Sequence, residues 1–162
     1  MFPLVEGTKY TFRGKRPDGS DDTWTAVLFV IDSSKRLFQY DPHNHVASWF
    51  TKAGIKVDSS GIQVVGESLA GDPAPEPALA VAFPITKGAG HEVPGLFVTK
   101  YTIAKKESVT VPAGKFEAWK VTIQDKVNPE GAAWLAPGTG LVKIQLPSGR
   151  VDELVSVEPA KR

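Results

Sequence analysis

Residues 107–123 read "ESVTVPAGKFEAWKVTI", two runs of β-forming residues hinged on Pro-Ala-Gly. Pro112 presets φ for the second position of a type I turn, Ala113 tolerates the third, and Gly114 suits the left-handed position that closes a three-residue hairpin with a bulge. The same grammar stands in "RPDGS" from Arg16 and "LPSGR" from Leu146. Pro17 to Gly19 and Pro147 to Gly149 are therefore expected to close hairpins in the same way, and three such turns in one short chain mean consecutive antiparallel strands.

The flanking residues agree. Thr8, Tyr10 and Phe12 alternate with Lys9, Thr11 and Arg13, and Val142, Ile144 and Leu146 alternate with Lys143 and Gln145, the period of two expected of strands with one wet face. "TWTAVLFVI", residues 23–31, differs. Trp24, Ala26, Leu28 and Val30 would line one face and Val27, Phe29 and Ile31 the other, which predicts a strand covered on both sides. Further strands are expected near 36–41, 46–52, 62–66, 96–104, 107–112, 115–125, 132–136 and 150–157, with turn residues between them. No window carries a helical period. With 13 prolines and 15 glycines punctuating 162 residues, the fold class expected is all-β, a curved antiparallel meander forming a barrel-like or half-barrel sheet with little or no helix.

The chain is long enough for one domain, burying roughly 70% of its unfolded surface on folding. Residues 1–162 are read as a single β domain, within which "GESLAGDPAPEPALA" at 66–80 is a proline- and alanine-rich strap. Past it, "FPITKG" at 83–88 echoes "FPLVEG" at 2–7. This raises the reading of two diverged halves, 1–66 and 81–162, joined by 67–80. The competing reading is that each phrase is a strand lead-in, where proline ends one element and glycine permits a bend.

Charge and composition exclude several functions. Nineteen Lys and Arg against 18 Asp and Glu leave no strong basic field for a nucleic-acid backbone. The absence of cysteine excludes disulfides, thiol catalysis and thiolate metal sites. No apolar run approaches the roughly 18 residues of a membrane-spanning helix, and "MFPLVEG" lacks the basic start and long apolar stretch of a signal peptide. The chain is read as cytoplasmic or as a mature fragment restarted with Met1.

The ordered phrases "FPLVEGTKYTF" (2–12), "FPITKG" (83–88), "VTVPAGKFEAWKV" (109–121) and "WLAPGTGLVKIQL" (134–146) together resemble a group of bacterial envelope proteins of unknown function. Their recurring text is of the kind V-P-A-G-T-F, then G-V-G-L-V-K, preceded by F-P-L-x-x-G-x-x-W-x-Y. The resemblance implies a secreted or lipid-anchored protein, periplasmic or outer-envelope, with a curved antiparallel sheet akin to the half-barrels of lipoprotein carriers, and implies no established reaction. Lys115 departs from the small hydroxyl residue of the pattern, and the second F-P phrase shows His91 and Val93 where the pattern has its aromatic pair.

Sites for chemistry are few. "GESLA" at 66–70 nearly spells a nucleophile elbow around Ser68, but a proline-rich strap follows where a helix is needed. In "YDPHNH", Asp41, His43 and His45 alternate and could offer three ligands to zinc or copper. The competing reading is a polar turn. "KGAG" at 87–90 lacks the spacing and the following helix of a phosphate loop. No anchor residue supports an enzyme, and no cofactor is expected. A hydrolase or metal-dependent enzyme using Asp41, His43 and His45 or Ser68 stands as the alternative.

Aromatic residues carry the remaining signal. Trp24, Trp49, Trp119 and Trp134 all fall on expected strands, and Trp119 shares a face with Val121 and Ile123 while Phe116 and Ala118 take the other. Such strands fit a curved sheet whose concave side holds either a packed core or an apolar cavity. The leading expectation is a non-catalytic envelope protein binding a lipid-like ligand or a partner protein, with Trp24, Trp49, Phe116, Trp119 and Trp134 as the ligand-binding residues. A purely structural interaction module is the third reading.

Overall fold

The computed structural model describes residues 2–43, 54–66, 68–73 and 75–161, with residues 40–43 described by backbone alone. Twelve strands follow in chain order: β1 (Lys9–Lys15), β2 (Asp21–Asp32), β3 (Leu37–His43), β4 (Ile55–Asp58), β5 (Gly61–Val64), β6 (Ala78–Ala82), β7 (Gly90–Val93), β8 (Thr99–Val111), β9 (Gly114–Gln124), β10 (Gly131–Ala136), β11 (Gly140–Gln145) and β12 (Val151–Glu158). There is no helix among the described residues. All twelve strands form one antiparallel sheet in the order β6-β5-β4-β3-β2-β1-β12-β11-β10-β9-β8-β7. Its two edges, β6 and β7, lie against each other, so the sheet is a nearly closed barrel whose seam falls between strands six and seven.

The proline–glycine hinges behave as turns, with one difference. At Arg16–Ser20 the Gly19 N–H donates to the Arg16 carbonyl at 2.9 Å and the Arg16 N–H to the Ser20 carbonyl at 2.9 Å. Leu146–Arg150 repeats this with Gly149 to Leu146 at 2.9 Å and Leu146 to Arg150 at 2.8 Å. These are type I turns closed by a glycine bulge, with φ of +83° at Gly19 and +89° at Gly149. Between β8 and β9 the loop tightens to two residues, because Val111 pairs directly with Gly114, which keeps a positive φ of +137°. The Ala113 N–H leaves the turn and donates to the Leu154 carbonyl of β12 at 2.9 Å. The long hairpin therefore docks its tip on β12, three places beyond β9 in the sheet, and its Val109, Val111 and Ala118 are buried.

Residues paired directly across an antiparallel ladder share a face, so register assigns the interior. Phe12 pairs with Trp24 and with Leu154, Ile144 with Asp152 and Ala133, Val121 with Ala133 and Ile103. All are buried, and together they make the core. On β2 the expectation of two covered faces is corrected. Trp24, Ala26 and Leu28 are buried, but Val27 and Phe29 are half-buried and Ile31 is exposed, since the described residues put no second layer of strands over this part of the barrel wall. At one end, Asp152 is buried and held by Arg150, whose guanidinium also reaches Asp22 at 2.8 Å. Gly14 lies beneath Asp152, where a Cβ would collide with the carboxylate.

Strand β8 runs unbroken across the two segments expected at 96–104 and 107–112, while β4, β6 and β7 arise where the pattern gave no strand. The last residues of the proline-rich strap belong to β6. The expected strand at 46–52 lies outside the described residues.

The glycine bends that end the two F-P phrases are alike. The Gly7 N–H donates to the Leu28 carbonyl at 2.7 Å, and the Leu28 N–H returns a bond to the Thr8 carbonyl at 2.9 Å. Gly88 donates to Ile103 at 2.8 Å, with the return from Ile103 to Ala89 at 2.9 Å. Gly7 and Gly88 have φ of +83° and +85°. Each phrase ends in a bend that leads into the strand after it, β1 or β7.

Candidate functional site

Both lead-in bends stand at the same end of the barrel, and between them Phe2 stacks on Phe83 with ring centroids 5.8 Å apart and planes 20° from parallel. In an antiparallel meander every second connection falls at the same end, so the β2–β3, β4–β5 and β10–β11 turns gather here too. They surround an open cavity of about 830 Å³, lined by Phe2 to Val5, Arg36, Phe38, Val57 to Ser59, Phe83, Ile85, Trp119 and Pro137. Its wall is mostly apolar. Below it, a second apolar space of about 60 Å³ is enclosed by β4–β6, β8 and β9–β11, with Ile62, Val81, Val121, Ala133 and Leu141 among its lining. Phe2, Pro3, Leu4 and Val57 line both spaces, so the first phrase forms the partition between the broad mouth and the narrow interior.

The charges at the mouth are Arg36 and Asp58. Asp58 is fully engaged: its carboxylate accepts from the Ser60 hydroxyl at 2.6 Å and backbone N–H at 2.9 Å, from Gln63 at 2.9 Å, and pairs with Lys56 at 3.2 Å. The Ser60 hydroxyl above all, with the Ser60 N–H and the Lys56 ammonium, lowers its pKa from 3.8 to about 2. Arg36 differs, with no side-chain hydrogen bond or ion pair among the described residues. It has a φ of +53°, at the end of a turn in which its N–H donates to the Ser33 carbonyl at 3.3 Å.

The tryptophans are distributed among three settings. Trp119, on β9, is half-buried and forms part of the mouth wall, with the Lys106 ammonium 5.9 Å from its ring. Trp24 is 4% exposed and stacked on Phe12 at 4.8 Å, inside the core and away from both cavities. Trp134 pairs with Lys120 and Lys143 on the face opposite Ala133, which puts it on the outer face of the wall, where it is still buried at 6% exposure. There its ring lies between the two ammonium groups, each 5.2 Å from the centroid, and its Nε1–H donates to Glu107 at 2.7 Å. The Lys105 ammonium and then this indole hold Glu107 below the usual carboxylate range. Phe116 is half-buried on that same outer face.

Trp49 and His45 lie outside the described residues. The backbones of Asp41 and His43 are in β3, paired with Val27 and Thr25. Ser68 is exposed in the β5–β6 connection. No group of three His, Cys, Asp or Glu side chains is placed to hold a metal among the described residues. Phe2, Phe83 and Arg36 were not singled out from the sequence as site residues. The repeated F-P phrase was the signal for the first two.

The sequence matches no protein-family model and no curated protein. Among solved structures, the barrel is similar to a Bacteroides fragilis protein described as exported and of YmcC-like fold, with 14% identity, a TM-score of 0.51 and 98% of each chain covered. It also matches a Parabacteroides distasonis protein described as a lipoprotein, with 14% identity, a TM-score of 0.44 and 97% of each chain covered. The first likeness identifies the nearly closed twelve-stranded barrel as a YmcC-like fold.

Proposed function

We propose that this chain is a non-catalytic protein of the bacterial envelope that holds an apolar, chain-like ligand in the mouth of its barrel. The observation that carries the reading is the cavity of about 830 Å³ walled by Phe2, Leu4, Phe38, Val57, Phe83, Ile85 and Trp119, a size and lining typical of small-molecule sites. The envelope location rests on the resemblance carried by the VPAG and GLVK phrases and on the exported neighbour of like fold.

Titration with a fluorescent fatty acid tests the reading. Binding should saturate at one probe per chain and quench tryptophan emission, Trp119 being in the wall. Native mass spectrometry of freshly purified protein should show a lipid-sized adduct that the probe displaces. Non-saturating uptake, or no uptake at all, would refute it.

A further inference from the structure

Resting on the reading of the mouth as an apolar ligand site, we infer that its ligand is an amphiphile with a single anionic head group, and that Arg36 is the residue that recognises it. Three observations converge. The cavity wall is mostly apolar, and its polar side chains, Arg36, Asp58 and Ser59, all come from the β2–β3 and β4–β5 turns, so a bound chain has one polar end to match. Asp58 is saturated by Ser60, Gln63 and Lys56, and has no lone pair that needs a ligand. Arg36 has five donors and no acceptor among the described residues, although its neighbour Lys35 is paired with Glu76 at 2.9 Å.

Backbone conformation adds an independent argument. At φ +53° an arginine is in the left-handed region, where its Cβ crowds the following carbonyl and glycine is the ordinary solution. Nine glycines of this chain adopt positive φ, and Arg36 is the one other described residue that does. Strain of this kind points to a side chain used for something besides folding. A guanidinium at the lip of an apolar pocket meets a carboxylate or phosphate through two parallel hydrogen bonds, while the ligand's chain lies along Phe38, Val57 and Trp119. Lys56 also stands at this rim, but its ammonium is taken by Asp58 at 3.2 Å, and Lys106, beside Trp119, lies on the far strand pair from the polar rim.

The experiment compares ligands that differ in the head group alone. With uncharged Nile red as the reporter in the mouth, hexadecanoate, hexadecanol and hexadecyl phosphate are used as competitors at mildly alkaline pH, where both acids are ionised. The wild type should prefer the two anions over the alcohol by about tenfold. Arg36→Gln should lower anion affinity to that of the alcohol and leave the alcohol unchanged, whereas Lys106→Gln should keep the preference. Arg36→Gly should lose the preference while raising the melting temperature, a combination that a merely structural arginine would not give. The ratio of hexadecanoate to hexadecyl phosphate tells a carboxylate ligand from a phosphate one. Equal affinity of anions and alcohol in the wild type, or a preference that survives Arg36→Gln or is lost in Lys106→Gln, would overturn the assignment and leave the apolar site standing. Failure of Nile red and all three competitors to bind would remove the site and the assignment together.

Discussion

Replacing Trp24 and Trp119 separately by alanine distinguishes a cavity wall from a core. Trp24 is buried and stacked on Phe12, so its loss leaves an enclosed void. A Trp-to-Ala change in a core costs roughly 3–5 kcal/mol, and an aromatic stack adds about 1 kcal/mol, which puts Trp24→Ala near the upper end. Trp119 has one side against the barrel and one facing the open mouth. A buried tryptophan covers about 200 Å², so about half that area at ~25 cal/mol per Å² gives about 2.5 kcal/mol. Little cavity cost is added, because the space made opens into one already there. Urea denaturation followed by circular dichroism should therefore give a loss for Trp24→Ala about twice that for Trp119→Ala, with unchanged slopes. Affinity for the fatty-acid probe should fall about tenfold in Trp119→Ala and stay level in Trp24→Ala wherever that protein is still folded. Equal losses of stability, or an unaltered probe affinity in Trp119→Ala, would show that Trp119 is ordinary core and would refute the reasoning.

Two further outcomes are expected. Gly19→Ala, Gly114→Ala and Gly149→Ala should each cost roughly 1 kcal/mol through the left-handed penalty, since an added Cβ meets no close contact at any of them. Gly61→Ala should cost more, because its methyl group would collide with the Val81 carbonyl in the β5–β6 ladder, and Lys115→Ala should stay within about 0.5 kcal/mol of wild type. Thermal melts of the five variants give the ranking, and a silent Gly61→Ala would contradict the register. Asp58 should titrate at about 2 in the folded protein. With a folded pKa below the unfolded one, its contribution is present above the unfolded value and is lost as pH falls through the folded one. Carboxyl NMR should record this, with Ser60→Ala moving the midpoint up toward 3.8. A wild-type midpoint already at the ordinary value would mean that the Ser60 bonds do not form in solution.

What the sequence disclosed follows from which constraints are local. Pro17, Pro112 and Pro147 fix φ by their own rings, and glycine two residues on supplies the positive φ, so the turns could be read before any packing was known. The period of two read on 8–13 and 142–146 is the one β1 and the second half of β11 carry. The strands β4, β6 and β7 have four or five residues each, too few for a period to emerge, and they exist because neighbouring strands offer them a ladder. At the site, Trp119 was legible as an aromatic residue on an inward face. Trp134 required the register shift between Trp134 and Leu135 and the pairing with two lysines before its outward setting could be known. Arg36 left no trace in the residue pattern, since its conformation and its lack of a partner among the described residues are properties of the assembled mouth.

The position of the seam has a consequence for how the chain finds its fold. Strands β1 and β12, farthest apart in the sequence, are paired in the middle of the sheet, with Lys9 opposite Glu158, while the physical break in the barrel follows β6. Closing that ladder carries the entropy of a loop almost as long as the protein, and such non-local contacts slow folding. A circular permutant that began at β7 and ended at β6, with a short peptide joining the present ends, would run through the sheet in strict spatial order. The segment around Ala160 already lies against Gly7, so the joint has little distance to span. Every ladder of that rearranged chain would be a hairpin between successive strands, and its folding rate should rise while the native contacts stay the same. The cut would pass through the connection that supplies Phe83 and Ile85 to the mouth, so the faster-folding chain would acquire new ends beside the ligand's entrance.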